Sequence, residues 1–583
     1  MEHTERDYDV VVVGSGFGGS TTALRLTEKG YRVAVIEAGR RFADGDYGKT
    51  NWNLRRFIWA PRLGCYGIQR IHLLKDVVVL AGAGVGGGSL VYANTLYEPQ
   101  TDAFYADPQW AHIADWRSEL APHYDQAKRM LGVVVNPTKT AADEVLHKVA
   151  IKMGVGSSYH AAPVGVFFGP NGTKEPGGRC PDPYFGGVGP ERTGCLECGE
   201  CMSGCRHNAK NTLVKNYLYL AERAGADIVA LSTVTRVRPL AAGGYSVTVQ
   251  PTTKRGTRHA YELTAQQVVL AAGTWGTQSL LHRMKISGDL PNLSPKLGVL
   301  TRTNSESICS ANVRLSNPDK LDFHDGVAIT SSIHPDGRTH IEPVRYGVGS
   351  SSMAGLMTLM TDGGGRTPRL IKWLAAVVRH PIDFVNLFVG LRSWPRRAII
   401  ALVMQTHDNS ITVLPKRTRS GKVTLTSSQG HGEPNPTWIP AANRATRLIA
   451  EEIGGVACGS TGEMFNIPMT AHFLGGAVIG ESSAHGVVDA YHRVFGHEGL
   501  HVLDGAAVSA NIGVNPSLTI TAQAERAMSM WPNKGDVDPR PALGEGYVKI
   551  GRIWPRTPVV PATAPAALPM PSLRQVPAGE NVP

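Results

Sequence analysis

The first 36 residues show two different patterns of apolar positions. Val10 to Val13 form an uninterrupted β-branched run, which is typical of a strand buried in a parallel sheet. Apolar residues at positions 23, 24 and 26 then fall on one face of a helix that Gly30 ends. Tyr31 to Ile36 form a second apolar run. The pattern therefore predicts a strand, a helix and a second strand.

Three glycines occupy the turn between the first strand and the helix. Gly14, Gly16 and Gly19 have the spacing G-x-G-x-x-G, and Glu37 follows 18 positions after Gly19, directly behind the second strand. Glycines at this spacing let backbone N–H groups reach a pyrophosphate at a helix N-terminus, and an acid about 20 residues on accepts a ribose hydroxyl. The unit predicts an ADP-containing cofactor, either FAD or NAD(P).

A second glycine triplet has the same spacing but a different context. Gly82, Gly84 and Gly87 are followed by neither an amphipathic helix nor a second strand that ends in an acid. We therefore interpret these glycines as a loop that brings backbone close to a cofactor, and predict no second nucleotide.

Length and charge narrow the class of protein. The 583 residues exceed the size of one hydrophobic core, so two or more domains are expected. The net charge of +11 comes from dispersed basic residues without a nucleic-acid motif, which predicts a cationic surface and no nucleic-acid partner. The first residues lack the features of a signal peptide, and no run of apolar residues is long enough to span a membrane, so we expect a cytoplasmic protein.

Five segments together resemble one protein family. The N-terminal unit, "GVGGGSLV" at 84–91, "VVLAAGTWGTQSLL" at 268–281, "AHFLGGAVIG" at 471–480 and "HVLDGAAVSANIGVNPSLTITAQAERA" at 501–527 occur in the order typical of the glucose–methanol–choline (GMC) family of FAD oxidoreductases. The resemblance extends to about Trp531. Within that family, the chain looks most like the cholesterol-oxidase-like members of mycobacteria.

The resemblance implies an α/β fold in which a Rossmann-like FAD-binding domain is joined to an α+β substrate domain built around an antiparallel sheet. The FAD-binding domain would comprise residues 1–110, 210–309 and 456–535, and the last part would carry the catalytic residues. The substrate domain would comprise residues 111–209, with a cysteine-rich insertion, and 310–455. Residues 536–583 would form a Pro-rich, poorly packed tail.

The resemblance also assigns residues to FAD. Gly14, Gly16 and Gly19 would contact the pyrophosphate, and Glu37 the adenosine ribose. Gly86, Gly87, Gly88 and Ser89 would lie on the isoalloxazine side, and Val234 would contact adenine. Ala272 and Gly273 would form a second contact at a strand end, and Asp504 and Gly505 would lie against the ribityl chain and the pyrophosphate.

Three residues are candidates for catalysis. His472 occupies the position of the family's active-site histidine, and a histidine titrates near working pH. Asn515 occupies the partner position, and as an N-cap followed by Pro516 at the first helical position it would also begin a helix. Glu342 resembles the glutamate that moves a proton during isomerisation of the steroid double bond. The flanking sequence of Glu342 departs from the family pattern.

Half of the eight cysteines lie within eleven positions. Cys195, Cys198, Cys201 and Cys205 have the spacing C-x2-C-x2-C-x3-C of bacterial ferredoxins, although Arg206 replaces the usual proline. An iron–sulfur cluster, a set of free or structural thiols, a zinc site and disulfides all remain open at this point.

Residues 366–405 interleave basic residues and tryptophans with apolar runs. This composition suits either an interfacial helix pair that contacts an anionic membrane or a helical hairpin that covers the active site.

The resemblance implies FAD-dependent oxidation of the 3β-hydroxyl of cholesterol or a related lipid alcohol, with hydride transfer to flavin N5 and reoxidation by oxygen. One alternative is a dehydrogenase that passes electrons through an iron–sulfur cluster to a carrier protein or quinone. A flavin-bearing lipid-binding protein without catalytic activity is the other.

Overall fold

A computed structural model describes residues 6–253, 257–317 and 321–570. Its helices of α type, in chain order, are α1 Phe17–Glu28, α2 Leu54–Phe57, α3 Trp116–Leu131, α4 Ala141–Lys152, α5 Tyr217–Arg223, α6 Gly273–Ser287, α7 Arg369–Arg379, α8 Pro381–Val389, α9 Trp394–Arg397, α10 Pro440–Glu452 and α11 Ser517–Met530.

The strands are β1 Tyr8–Val13, β2 Val33–Ile36, β3 Trp59–Ala60, β4 Cys65–Tyr66, β5 Gln69–Leu73, β6 Val78–Gly82, β7 Val134–Val135, β8 His160–Ala161, β9 Pro163–Val164, β10 Arg179–Cys180, β11 Arg192–Thr193, β12 Asp227–Val229, β13 Ser232–Pro239, β14 Tyr245–Pro251, β15 Tyr261–Leu270, β16 Thr301–Arg302, β17 Ser307–Val313, β18 Ser331–Asp336, β19 Thr339–Val344, β20 Met357–Leu359, β21 Ala398–Gln405, β22 Ile411–Arg417, β23 Val423–Gln429, β24 Gly455–Ser460, β25 Met469–Thr470, β26 Leu474–Gly475 and β27 Leu500–Val502.

The predicted α/β fold is confirmed by the first large sheet. Its strands run β12-β2-β1-β15-β14-β13, with β27 also paired to β15. β12, β2, β1, β15 and β27 are parallel, and their carboxyl ends lie at one edge. β1 is buried over its last four residues, as the β-branched run predicts. The predicted strand, helix and strand of the N-terminal unit are therefore confirmed as β1, α1 and β2.

The second large sheet is antiparallel, as expected for the substrate domain. Its order is β20-β24-β17-β21-β19-β18-β8. β21 is a central strand because its residues, AIIALVMQ, form a continuous apolar run with β-branched side chains. The helical expectation for 366–405 is therefore wrong for this last part and applies only to the residues before 398.

A buried ionic network joins the two ends of the chain. The guanidinium of Arg25 on α1 donates to Glu525 on α11 at 2.9 and 2.7 Å and to Glu28 at 2.7 Å. Tyr217 on α5 donates its hydroxyl to the same Glu525 carboxylate at 2.7 Å. The one guanidinium contacts both carboxylates, and the Tyr217 hydroxyl donates to one of them, so the network holds α1, α5 and α11 together.

The expectation of a poorly packed tail is wrong for residues 555–567, whereas most of residues 536–554 are exposed or half-buried. Val560, Ala564, Ala566 and Ala567 are buried, and the backbone carbonyl groups of Ala566 and Ala567 accept hydrogen bonds from side chains of α3. The segment packs because its alanines and prolines are small enough to lie flat on the helices while their carbonyls are satisfied. Residues 571–583 of the predicted tail lie outside the described residues.

Within the described residues, no helix is both long enough and apolar enough to cross a membrane.

Candidate active site

A cavity of about 530 Å³ lies along the carboxyl edge of the parallel sheet and extends under the antiparallel sheet. This volume is typical of a ligand-binding cavity. One half is lined by glycine-rich turns, and the other half by apolar side chains. The cavity therefore offers backbone donors to one part of a ligand and an apolar surface to another.

The first glycine turn is built for close packing. Gly14 has a φ of 103°, and a Cβ there would lie 2.3 Å from the carbonyl oxygen of Ala271. A Cβ at Gly18 would lie 1.7 Å from the carbonyl oxygen of Leu503. Gly16 differs, because a Cβ there would have no protein atom within 4 Å, although the residue lines the cavity. Gly16 thus leaves open space at the start of α1 that a pyrophosphate would fill.

Glu37 is held by the same turn. Its carboxylate accepts hydrogen bonds from the hydroxyl of Ser15 at 2.7 Å and from the backbone N–H of Gly39 at 2.7 Å. The hydroxyl of Ser15 in turn accepts from the N–H of Gly86 at 3.0 Å. The first glycine turn, the ribose-binding candidate and the second glycine loop are therefore joined by hydrogen bonds.

The second glycine loop approaches the first closely. A Cβ at Gly87 would lie 2.7 Å from the Cα of Gly16, and both Gly87 and Gly88 line the cavity. Gly86 and Ser89 lie behind them, and the Ser89 hydroxyl donates to the Gly86 carbonyl at 2.7 Å. Gly87–Leu90 is a short 3-10 helix without a following strand, which fits the interpretation as a backbone loop.

The remaining cofactor candidates come from three distant segments. Val234, Ala272, Gly273, Asp504 and Gly505 all line the cavity. Asp504 accepts from the N–H of Ala506 at 2.8 Å, and burial raises the pKa of its carboxyl to about 6, against the lowering effect of the hydrogen bond from Thr277.

The N-termini of three helices line the cavity. Gly16 and Phe17 begin α1, Ala272 and Gly273 begin α6, and Pro516 precedes α11. The first N–H groups of a helix have no acceptor within the helix, and the helix dipole adds positive potential there. The site therefore fits a long anionic dinucleotide such as FAD.

His472 lines the cavity next to a carboxylate that sequence reasoning missed. Its Nδ1 lies 3.0 Å from Oε2 of Glu306, a distance typical of an ion pair, although the direction is not that of a hydrogen bond. Glu306 is buried and accepts from the Thr470 hydroxyl at 2.7 Å and from the N–H of Ala471. No motif surrounds Glu306, so only the tertiary structure reveals it.

Asn515 lines the cavity and lies over Glu342. Its Nδ2 donates to Oε2 of Glu342 at 3.1 Å, while its buried Oδ1 has no hydrogen-bond partner among the residues that the structure describes. The predicted N-cap role of Asn515 is wrong, because α11 begins at Ser517 with Pro516 in the cap position and the Asn515 side chain bonds to Glu342 instead.

Glu342 is buried on β19 and is separated from the cavity by Asn515. Burial raises the pKa of its carboxyl to about 8, the hydrogen bond from Asn515 lowers it, and the charge of Glu306 raises it further. Glu342 is therefore a neutral acid at pH 7, and its proton can be donated or held.

The cysteine stretch lies beside the second glycine loop. Cys195 and Cys201 are buried, and all eight cysteines of the chain are free thiols. Within the described ranges, Cys198, Glu200 and His207 place their possible metal-ligand atoms within 4.8 Å of one another. Cys195, Cys201 and Cys205 do not belong to this group.

Two family models match the chain. A model of FAD-dependent oxidoreductases matches residues 9–407, and a model described as GMC oxidoreductase matches residues 461–524. The chain is 61% identical over 566 residues to a cholesterol oxidase of Mycobacterium tuberculosis, covering 96% of this chain and 97% of that protein. It is 45% identical over 537 residues to a cholesterol oxidase of Acinetobacter baumannii, covering 91% and 95%.

A solved structure supports the fold. The pyridoxine 4-oxidase of Mesorbium loti superposes with a TM-score of 0.56 at 16% identity, covering 89% of this chain and 98% of that one. At this identity the likeness concerns the fold alone.

The pKa of Glu342 predicts a pH-dependent stability. The carboxyl titrates near 4.5 in the unfolded chain and near 8 in the fold, so the unfolded state loses this proton first as the pH rises. Stability from the retained proton is complete below pH 4.5 and is lost by about pH 8. Glu342→Gln removes this titration. The thermal midpoint of the variant should therefore rise relative to wild type between these pH values and level off above them, whereas parallel midpoint curves would contradict the raised pKa.

Proposed function

The chain belongs to the GMC oxidoreductase family of FAD-dependent enzymes, and on that premise we propose that it oxidises the 3β-hydroxyl of cholesterol or a related steroid to the ketone, with oxygen as the electron acceptor. The observation that carries this proposal is the pair His472 and Asn515, which lines the cavity together with the apolar wall. The activity named for the relatives at 61% and 45% identity supports the choice of substrate.

The apolar half of the cavity suits a steroid skeleton. A sterol is a rigid apolar ring system with a single hydroxyl, so its binding needs a large apolar wall and few polar groups. The side chains that supply this wall come from one face of the antiparallel sheet and from its neighbouring segments: Ile308, Val344, Tyr346, Met353, Leu356, Met357, Trp394, Ile400 and Leu402.

Oxidation of the alcohol removes a hydride from carbon and a proton from oxygen. Bound FAD supplies the hydride acceptor at flavin N5. We assign acceptance of the proton to His472, because the buried carboxylate of Glu306 next to Nδ1 stabilises the imidazolium that forms. With Nδ1 turned to Glu306, Nε2 is the nitrogen available to the substrate hydroxyl.

Asn515 is proposed to orient the substrate oxygen. Asn515 Nδ2 carries two N–H groups, and Glu342 accepts from one of them, so the other remains to donate a hydrogen bond to the sterol oxygen while the hydroxyl proton goes to His472. Glu342 itself is proposed to move the proton during double-bond isomerisation: as the carboxylate it takes the proton from one steroid carbon, and as the resulting acid it returns that proton to another. That role requires the Asn515 side chain to move aside, since it separates Glu342 from the cavity.

A second proposal is a dehydrogenase that passes electrons outwards through an iron–sulfur cluster held by Cys195, Cys198, Cys201 and Cys205. It is favoured by location, because Met202 of the same stretch lines the cavity. Against it, the candidate ligand atoms that lie within 4.8 Å of one another in the described residues are those of Cys198, Glu200 and His207, and the other three cysteines are not among them.

We also propose a peripheral membrane contact made from the cytoplasm, a reducing compartment that suits eight free thiols. The contact surface is the apolar hairpin, defined as α7 and α8. Val378, Ile382 and Val389 of this hairpin are 79%, 74% and 72% exposed. Trp373 anchors α7 by donating to the Thr358 hydroxyl at 2.8 Å, next to the cavity residue Met357.

Charge favours an anionic lipid surface for the apolar hairpin. Arg366, Lys372 and Arg379 lie on or beside it, and its one acidic residue, Asp383, is paired with Arg314 at 3.0 Å. An amphipathic helix pair with this charge binds at the boundary between headgroups and acyl chains.

His472→Gln should slow the anaerobic bleaching of the flavin by cholesterol about 10²- to 10⁴-fold, because the substrate proton loses its acceptor. Stopped-flow absorbance measures the rate, and the FAD content of the purified variant should equal that of wild type. His147→Gln, at a histidine outside the cavity, should leave the rate unchanged. A wild-type protein that binds sterol without bleaching would replace the proposal with a non-catalytic lipid-binding flavoprotein.

The same purified wild-type protein should contain neither iron nor acid-labile sulfide, and its reduced flavin should reoxidise rapidly in air. Elemental analysis and the second phase of the stopped-flow record check both statements. Stoichiometric iron and sulfide with slow reoxidation would favour the dehydrogenase. In that case Cys198→Ser should abolish the cluster absorbance.

The double variant Val378→Asp/Ile382→Asp should lose binding to phosphatidylserine-containing vesicles by about tenfold or more, because each buried aliphatic side chain contributes about 1.5–3 kcal/mol. Co-sedimentation measures the bound fraction. Val537→Asp, at a residue of the tail that is 91% exposed, is the matched control. Equal sedimentation of all three proteins would contradict a contact through the apolar hairpin.

A further inference from the structure

One wall of the cavity carries a cation that has no ion-pair partner among the described residues. This wall is the hairpin of β5 and β6, in which Arg70 pairs with Ala81 and His72 pairs with Val79. All four of these residues line the cavity. Arg70 and His72 are two positions apart on one strand, so they lie on the same face of the hairpin.

Arg70 has no polar partner on its protein side. Its buried Nε makes no hydrogen bond, and within the part of the chain that the structure describes it forms no ion pair. Its guanidinium lies 4.7 Å from the ring centroid of Trp59. Burial lowers the pKa of Arg70, and the negative charge of Glu37 raises it in turn.

A guanidinium in this position requires an anion. Partial burial disfavours an unpaired charge, and a cation–π contact offsets only part of that cost. Trp59 contacts the guanidinium and Arg70 lines the cavity, so an anion bound in the cavity can reach it. The same cavity is lined by the N-termini of α1, α6 and α11, which also favour negative charge.

We propose that Arg70 binds the diphosphate bridge of the cofactor from the β5–β6 hairpin, opposite the glycine turn at Gly14 to Gly19. His72, which is stacked on Trp275 at 4.1 Å with its buried Nε2 unpartnered, lies beside it as a neutral hydrogen-bonding group. The glycine turn contributes backbone donors, and Arg70 contributes the positive charge. This pair of walls makes the site selective for an adenosine diphosphate cofactor over a cofactor without phosphate.

The inference rests on the cofactor site and not on the steroid chemistry. Failure to oxidise cholesterol would therefore overturn the proposed substrate and leave the role of Arg70 to be decided by binding alone.

The test uses full-length protein from which FAD has been removed, with ADP and adenosine as probes in titration calorimetry. Arg70→Gln should weaken ADP binding about 10- to 100-fold, because the variant loses a hydrogen bond to the charged phosphates. Adenosine has no phosphate, so its binding should be unchanged. Arg70→Lys should restore part of the ADP affinity. Arg55→Gln, at an exposed arginine of the neighbouring α2, should bind both probes as wild type does.

A second readout is the thermal midpoint. Removal of a partly buried charge without an ion-pair partner should raise the midpoint of the cofactor-free Arg70→Met variant, and saturating FAD should shift that midpoint less than it shifts wild type. Equal loss of ADP and adenosine binding would show that Arg70 is structural and would overturn the proposal. Unchanged ADP affinity in Arg70→Gln would overturn it as well.

Discussion

The parallel pairing of β2, β1, β15 and β27 is the constraint on which the site depends. Each register places the carboxyl ends of these strands at one edge, so Glu37, Gly14, Ala272 and Asp504 meet although they are far apart in sequence. The helices that follow β1 and β15 begin at the same edge, which brings their unpaired N–H groups to the cavity. A shift of one strand by one residue would turn each of its side chains to the opposite face of the sheet and separate these groups.

Local sequence was sufficient for the features that depend on local geometry. The β1–α1–β2 unit, the close approach at Gly14 and the loop character of Gly84 and Gly87 all follow from residue type and spacing. Each is a property of a few neighbouring residues, so tertiary contacts had little to add. The family resemblance extended the fold to the antiparallel sheet, which periodicity alone did not predict.

The features that sequence reasoning missed depend on distant partners. Glu306 stands beside His472 because β17 and the segment after β25 are neighbours, and nothing around either residue indicates that contact. Asn515 looked like an N-cap because it precedes Pro516, but a buried carboxyl from β19 offered its side chain a stronger partner. The prediction for the C-terminal tail rested on its composition alone, and composition does not show that its small residues pack against helices. The roles of the cofactor and catalytic residues and the domain boundaries remain predictions.

The buried ion pair between Arg25 and Glu525 joins residues 500 positions apart in the sequence. On a ribosome that adds about 5–20 residues per second, α1 and β1 therefore emerge roughly 25–100 s before α11 exists to complete their packing. During that interval, Arg25 in the newly made N-terminal half has Glu28 but not Glu525 as a partner, and the nucleotide pocket is unfinished. Cofactor capture is thus a late event in the life of each molecule, and a nascent chain of this protein depends on protection from aggregation for longer than a domain built from one continuous segment.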